Sequence, residues 1–233
     1  NNTTASNNTA VGYQAAKSNT TGSANIAIGA AALLASSTGS FNTAVGASDY
    51  ATVSAALQAN QTGNYNSALG NRAIQSITSG SYNTALGAES LYNNTSATYN
   101  VALGYQAGYS TSTSGYNIFI GAQAGYTLSP VNAAGLVAIG YQTAYSFNTS
   151  SDTLTSTFVG YTAGKNTTTG TDNTVLGGSG FVGSNLVNRL KVQGHWVRVV
   201  DIVKCEYQLK ADEFYQGDLT DSQIMKSAVH LTG

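Results

Sequence analysis

Three glycines, Gly177, Gly180 and Gly183, stand in G-x-x-G-x-x-G spacing directly after a short apolar run, Val175-Leu176. They open an amphipathic stretch, Phe181 to Gln193, that Gly194 would end, and a second apolar run, Trp196 to Ile202, carries Asp201. Strand, glycine loop, helix, strand and acid, in that order, are the parts of a dinucleotide site. The glycines let backbone amides approach a pyrophosphate at a helix N-terminus, and the acid accepts hydrogen bonds from ribose hydroxyls. Gly177, Gly180 and Gly183 are thus candidate pyrophosphate contacts, and Asp201 is the candidate ribose acid.

Other reactive residues are sparse. Tyr161 and Lys165 spell Tyr-x-x-x-Lys, but they precede the glycine loop in the text FVGYTAGK, away from any helical pattern, and are read as a decoy. Tyr207 and Lys210 have the wrong spacing for that motif. Cys205 is the only cysteine, which excludes an internal disulfide framework and a Cys-based zinc site. His195 and His230 are too far apart in sequence to suggest a metal cluster, so no metal ligands are expected. Cys205 is read as a buried or incidental thiol and His195, beside Trp196, as a strand-edge residue.

The elements around these residues fall into two texts. The chain has 233 residues, 42% of them hydrophobic but only 8% charged, against about 25% charged in an average soluble domain. The few charges are unevenly placed. Residues 1–172 carry Lys17, Arg72, Lys165, Asp49, Glu89, Asp152 and Asp172, whereas 173–233 are charge-rich and hold the only Trp and the only Met. The expected domains are 1–172 and 173–233.

The first text is a repeat, Asn-x-Ala-aliphatic-Gly, whose glycines fall at 12, 29, 46, 70, 87, 104, 121, 140, 160 and 177. The step is 17 residues, stretched three times by insertions. That unit is too short for a helical repeat or a propeller blade, and its apolar sites lack a 3.6 period. The expected fold is all-β: a repetitive β-solenoid or β-roll of about ten 17-residue turns, followed by a short, partial Rossmann-like α/β tail. Stacked turns place like residues above one another. The aliphatic residue before each glycine is expected to form an internal ladder, and the Asn four before it a hydrogen-bonded one. Phe41, Tyr65, Tyr82, Tyr99 and Tyr116 should build an aromatic column, read first as ladder packing and second as a sugar-binding strip. Insertion segments Ala47 to Gly63, 122–135 and 141–156 are expected to be variable surface loops. A thin coil of this kind gains from neighbours, and burial of the Ala-rich face between three chains is the expected assembly.

The repeats NTAVGYQAA, NTALGAESL and NVALGYQAG resemble the left-handed β-roll repeats of trimeric autotransporter adhesin heads, and more closely the repeat regions of phage tail fibres. The resemblance covers residues 1 to about 177, and the period of 17 departs from the shorter adhesin repeat. It implies a homotrimeric structural or adhesive fibre at a cell exterior or virion surface, contacting a host receptor or glycan.

From Thr174 onward the text resembles the N-terminal edge of extended short-chain dehydrogenases/reductases, and ADEFYQGDLTD at 211–221 is similar to the GDP-mannose 3,5-epimerase-like branch. The resemblance implies that Phe181 and Val182 join Gly177, Gly180 and Gly183 at the pyrophosphate, that Asp201 holds the adenosine ribose, and that Asp218 with Leu219 lines the adenine. NAD is expected only if this tail folds, and otherwise no cofactor. Because the catalytic half of such enzymes does not follow, the chain is expected not to be an enzyme, and the NAD-binding epimerase type is the alternative function. Asp172 to Gly177 belongs to both texts, and a strand stacked on a solenoid cannot also be the central strand of an open sheet. The tail is therefore a cap, a partly ordered appendage, or a junction of two unrelated sequences.

A net charge of −1 gives no electrostatic footprint for nucleic acid. The apolar runs fall short of the ~20 residues a membrane helix needs. Neither partner is expected. The opening Asn-Asn-Thr-Thr lacks an initiator Met or a signal pattern, which reads as a mature product or an excised fragment. Sequons at Asn1, Asn2, Asn7, Asn19, Asn60, Asn93, Asn94, Asn148 and Asn166 are read chiefly as chance in an Asn/Thr-rich text.

Overall fold

The computed structural model describes residues 3–47, 54–129, 134–148, 156–165, 174–176, 198–201 and 213–216. The strands are β1 (Thr9–Val11), β2 (Ile26–Ile28), β3 (Thr43–Val45), β4 (Ser67–Leu69), β5 (Thr84–Leu86), β6 (Val101–Leu103), β7 (Ile118–Ile120), β8 (Thr127–Ser129), β9 (Val137–Ile139), β10 (Ser146–Asn148), β11 (Thr157–Val159), β12 (Thr174–Leu176), β13 (Arg198–Asp201) and β14 (Glu213–Gln216). Ten of them make one parallel sheet in the order β1-β2-β3-β4-β5-β6-β7-β9-β11-β12. The repeat half is a parallel β-solenoid, and no helix occurs among the described residues.

Register follows the repeat. Ala27 pairs with Ala44, Ala44 with Ala68, Ala68 with Ala85 and Ala85 with Ala102, so the longer step between Gly46 and Gly70 leaves the ladder in phase. Among the described residues every repeat glycine has positive φ. Gly12, Gly29, Gly87 and Gly104 have φ between +121° and +136°, and a Cβ on any of them would lie 2.5–2.8 Å from backbone atoms of the next turn's glycine. An L side chain is excluded twice, by dihedral and by contact.

The Asn ladder closes each coil and joins it to the next. The side-chain amide of Asn25 donates to the Gly39 carbonyl at the end of its own coil, and its oxygen accepts the Asn42 backbone N–H of the next. Asn42, Asn66, Asn83 and Asn100 repeat the pattern, and all are buried. The ladder ends where Asn117 accepts the backbone N–H of Leu136.

The aliphatic ladder runs opposite to expectation. Strand side chains alternate in direction, and the alanine of each Ala-aliphatic pair points inward: Ala27, Ala44, Ala68, Ala85 and Ala102 are at most 2% exposed. The aliphatic residue before the glycine therefore points out, as at Val11, Leu69 and Leu86, which are 58%, 49% and 46% exposed. The interior is filled from the far wall by Leu33, Leu57, Ile74 and Leu91, four or more residues after each glycine. An alanine on one wall leaves room for a leucine on the other. Where the far wall has glycine, the sheet supplies phenylalanine: a Cβ on Gly108 would lie 2.6 Å from Phe119, one on Gly125 would strike the same ring, and one on Gly164 would strike Phe158. The Ala-rich face is thus each chain's own core, and it is not available as a contact between three chains.

The insertion segments are partly built into the coil. Residues 54–63 continue the turn, with Ala55, Ala56 and Leu57 buried. β8 and β10 pair in parallel within the stretches expected to be loops, with Leu128 and Phe147 buried beneath them. Residues 48–53, 130–133 and 149–155 of the insertion segments lie outside the described residues. Asn19, Asn60 and Asn94 are at most 1% exposed, so three of the sequons are closed to a glycosyltransferase in the folded chain.

Candidate functional site

The double identity of the junction is decided at its backbone. β12 pairs with β11 in repeat register, Thr157 opposite Thr174 and Val159 opposite Leu176, and Val175 packs against the solenoid core. The strand that precedes the glycine loop is the last strand of the solenoid sheet. β13 and β14 form a separate parallel pair, Arg198 opposite Glu213 and Asp201 opposite Gln216.

Asp201 is the last residue of β13, at the carboxyl end of a parallel strand. That is where ligands meet open parallel sheets, and it is the place of the ribose acid in a dinucleotide fold. The fit of a nicotinamide nucleotide is otherwise incomplete. Such a fold sets its first strand between the second and the fourth, whereas β12 has β11 on one edge and no strand on the other among the described residues. Gly177, Gly180, Phe181, Val182, Gly183, Asp218 and Leu219 lie outside the described residues, as do Cys205, His195, and the stretch read as a helix. Tyr161 and Lys165 sit in a turn of the coil, where Tyr161 stacks on Tyr141 and the Lys165 ammonium lies 5.8 Å from the Tyr145 ring centre.

The solenoid surface has a chemistry of its own. Phe41, Tyr65, Tyr82, Tyr99 and Tyr116 do form a column, with successive ring centres 4.8–5.0 Å apart and planes within 16° of parallel. All five have φ of 56–61°, a left-handed conformation that costs a bulky residue energy. Stacking covers the ring faces and leaves the edges to solvent, so stacking of a sugar ring on the faces is confined to the ends of the column.

A second column, Tyr92, Tyr109, Tyr126 and Tyr145, was not read from the sequence although each residue stands five after a repeat glycine. Cations close both of its ends, with the Arg72 guanidinium carbon 4.6 Å from the Tyr92 ring centre and Lys165 over Tyr145. Arg72 also donates to Glu89 at 2.8 Å and to the Tyr92 hydroxyl at 2.6 Å. From Glu89 a chain of amide donors runs along the coil: Gln106 to Glu89, Gln123 to Gln106 and Gln142 to Gln123. Burial, followed by the nearby Glu89 charge, pushes the Tyr109 phenol above its ordinary value, and burial followed by Tyr145 does the same to Tyr126. Among the described residues no group of three acidic, His or Cys side chains is placed to hold a metal ion. No helix among them is long and apolar enough to cross a membrane.

Comparison with known proteins gives a family match in the C-terminal segment. Residues 174–232 match the family model described as NAD dependent epimerase/dehydratase family. Over 59 residues the chain is 46% identical to "3 beta-hydroxysteroid dehydrogenase/Delta 5-->4-isomerase" from two strains of Mycobacterium tuberculosis, CDC 1551 / Oshkosh and ATCC 25618 / H37Rv. The match takes in 24% of this chain and 15% of the length of those relatives. No solved structure matches. The expectation that the chain is not an enzyme is overturned by these findings, because both the family and the relatives are enzymes by description. The segment from Thr174 is similar to an NAD-dependent enzyme family over the span in which the glycine loop and Asp201 occur.

Proposed function

We propose that the segment beginning at Thr174 is the entry to a nicotinamide-nucleotide-binding unit of the epimerase/dehydratase type, carried at the end of a rigid β-solenoid. The observation that carries this reading is the coincidence of the matched span, 174–232, with a parallel strand pair that ends in Asp201. On this reading Gly177, Gly180 and Gly183, with Phe181 and Val182, approach the pyrophosphate, Asp201 binds the adenosine ribose, and Asp218 and Leu219 flank the adenine. The test is titration calorimetry of the full chain with NAD+, alongside Asp201→Ala. A hydrogen bond to a charged group contributes about 1.5–3 kcal/mol, so the substitution should weaken binding by about 10- to 100-fold. Absence of heat with the unaltered chain at millimolar NAD+ would sink the reading.

The solenoid supports a second role, that of a structural or adhesive fibre segment displayed outside a cell or on a virion and directed at a host receptor or glycan. The observation favouring it is the long outer sheet face, whose strands β1 to β7, β9 and β11 contain no charged residue. Attachment of the purified chain to immobilised host-cell glycans, abolished by Phe41→Ala with Tyr116→Ala at the two ends of the aromatic column, is the expected result. Equal retention of the variant and the unaltered chain would remove the aromatic column from that role.

A further inference from the structure

The outer face of the solenoid sheet is an unpartnered apolar surface. Val11, Ile28, Leu69 and Leu86 form one exposed ladder, Ile26 and Ile118 belong to the ladder two residues upstream, and the column Phe41 to Tyr116 lines one margin. From β1 to β11 the face is about 38 Å tall at about 4.8 Å per strand, and from the aromatic corner to the residue after the glycine it is about 20 Å wide. That is close to the ~800 Å² per partner of a standard interface.

Its composition is aliphatic and aromatic, interspersed with the hydroxyls of Thr9, Thr43, Ser67, Thr84 and Thr157, and its strands carry no charge, in keeping with the depletion of charge at interface cores. The aromatic residues, moreover, occupy a left-handed corner that Asn7 holds in the first turn. The coil takes this conformation at buried corners too, as at Leu33, Ile74 and Leu91, so the aromatic row is distinguished by its exposure rather than by its backbone.

Periodicity identifies what covers it. The exposed side chains recur at the spacing of parallel strands, seen directly in ring centres 4.8–5.0 Å apart. Ladders and grooves can interdigitate over the full height only with a surface of the same rise, since a mismatch of a few tenths of an ångström per strand accumulates to a clash within a few turns. We propose that this face packs against the same face of a second copy of the chain. The Ala-rich contact expected from sequence is replaced by an aliphatic and aromatic one; a second copy on this face excludes its use as the attachment surface, and the proposal is independent of what the segment after Thr174 binds.

The experiment is light scattering on the full chain over a range of concentrations, with Leu69→Lys/Leu86→Lys, Thr84→Lys and, away from the face, Ser79→Lys. Leu69, Thr84 and Leu86 are exposed in the single chain, so the coil should survive each change, and circular dichroism checks that it does. The unaltered chain and Ser79→Lys should approach twice 23.9 kDa as concentration rises. An unpaired charge buried in the contact should weaken self-association by about 100-fold or more in both face variants. A 23.9 kDa particle at every concentration overturns the proposal, as does an assembly that both face variants leave intact.

Discussion

Replacing Asn83 by alanine tests the physical basis of the coil at one side chain. The Asn83 amide nitrogen donates to the Ala97 carbonyl at 2.9 Å, and its oxygen accepts the Asn100 backbone N–H at 3.0 Å. Asn83, Ala97 and Asn100 are all buried. Asn83→Ala therefore leaves one buried carbonyl and one buried N–H without these partners, at about 1–3 kcal/mol each, or about 4 kcal/mol together. Because a solenoid turn is held only by its neighbours, the loss should appear as local opening of the turn between Asn83 and Asn100 before global melting. Amide hydrogen exchange followed by mass spectrometry should show peptides spanning 95–103 exchanging about 1,000-fold faster, since ~1.4 kcal/mol is a factor of ten. Thr84→Ala, at the exposed neighbouring position, should stay within about 0.5 kcal/mol of the unaltered chain. Asn83→Asp separates hydrogen bonding from packing. It keeps the acceptor but buries a carboxylate against the Ala97 carbonyl, so its pKa rises, and stability is regained as pH falls and the protonated acid can donate. Exchange within threefold of the unaltered chain in Asn83→Ala, or no pH response in Asn83→Asp, would refute the account.

The remaining expectations concern the core and the second tyrosine column. Phe119→Ala empties the space facing Gly108 and Gly125 and should cost about 3–5 kcal/mol in urea unfolding; Gly125→Ala should also destabilise, because the added Cβ strikes the Phe119 ring at a residue with φ of +60°. A cost below about 1 kcal/mol in either would show that the two walls are not matched in size. The raised phenols of Tyr109 and Tyr126 favour the protonated form in the fold. Their contribution to stability is complete below the ordinary tyrosine pKa of 10.0 and is lost as pH rises through the higher folded values. Absorbance at 295 nm should show late-titrating phenols that disappear in Tyr109→Phe/Tyr126→Phe, and thermal stability should fall at alkaline pH; ordinary titration of every tyrosine would contradict this.

Much of the fold was legible because a period of 17 fixes which residues stack. Asn83 over Asn66 and Tyr99 over Tyr82 follow from counting alone. Counting does not say which side of a strand faces inward. Leu86 is the more apolar residue and by that measure belongs in the interior, yet the far wall already supplies Leu91, and it is Ala85 that is buried opposite. The inside is set by volume rather than by hydrophobicity. The pairing of Phe119 with Gly108 and Gly125 is the same rule in reverse. It could have been found by noting that Ala gives way to Phe as Leu gives way to Gly. The Tyr92 column was equally countable, but it lies after the glycine, where the repeat is more variable.

The junction at β12 is where the two texts of the chain make the same demand. A solenoid turn asks for a short apolar strand in parallel register followed by a residue that accepts positive φ against a neighbouring backbone. A dinucleotide loop asks for a short apolar parallel strand followed by a glycine that lets the backbone close on a phosphate. Asn-Thr-Val-Leu-Gly meets both, which is why periodicity and motif reading each claim it. The strand obeys the solenoid because its partner is already in place: β11 offers three residues in register, and Val175 completes the core begun by Phe158. β11 then occupies an edge of β12 that a complete nucleotide fold gives to its second or its fourth strand. Assembly of a full nucleotide site would require β12 either to exchange β11 for such a strand or to serve as the boundary of both sheets. The second course keeps every hydrogen bond that β12 already has with β11. NAD+ titration therefore has a structural readout besides heat. If β12 is shared, its amides stay protected from exchange on the β11 side when nucleotide binds; if it is exchanged, protection of Thr157 to Val159 falls as nucleotide is added.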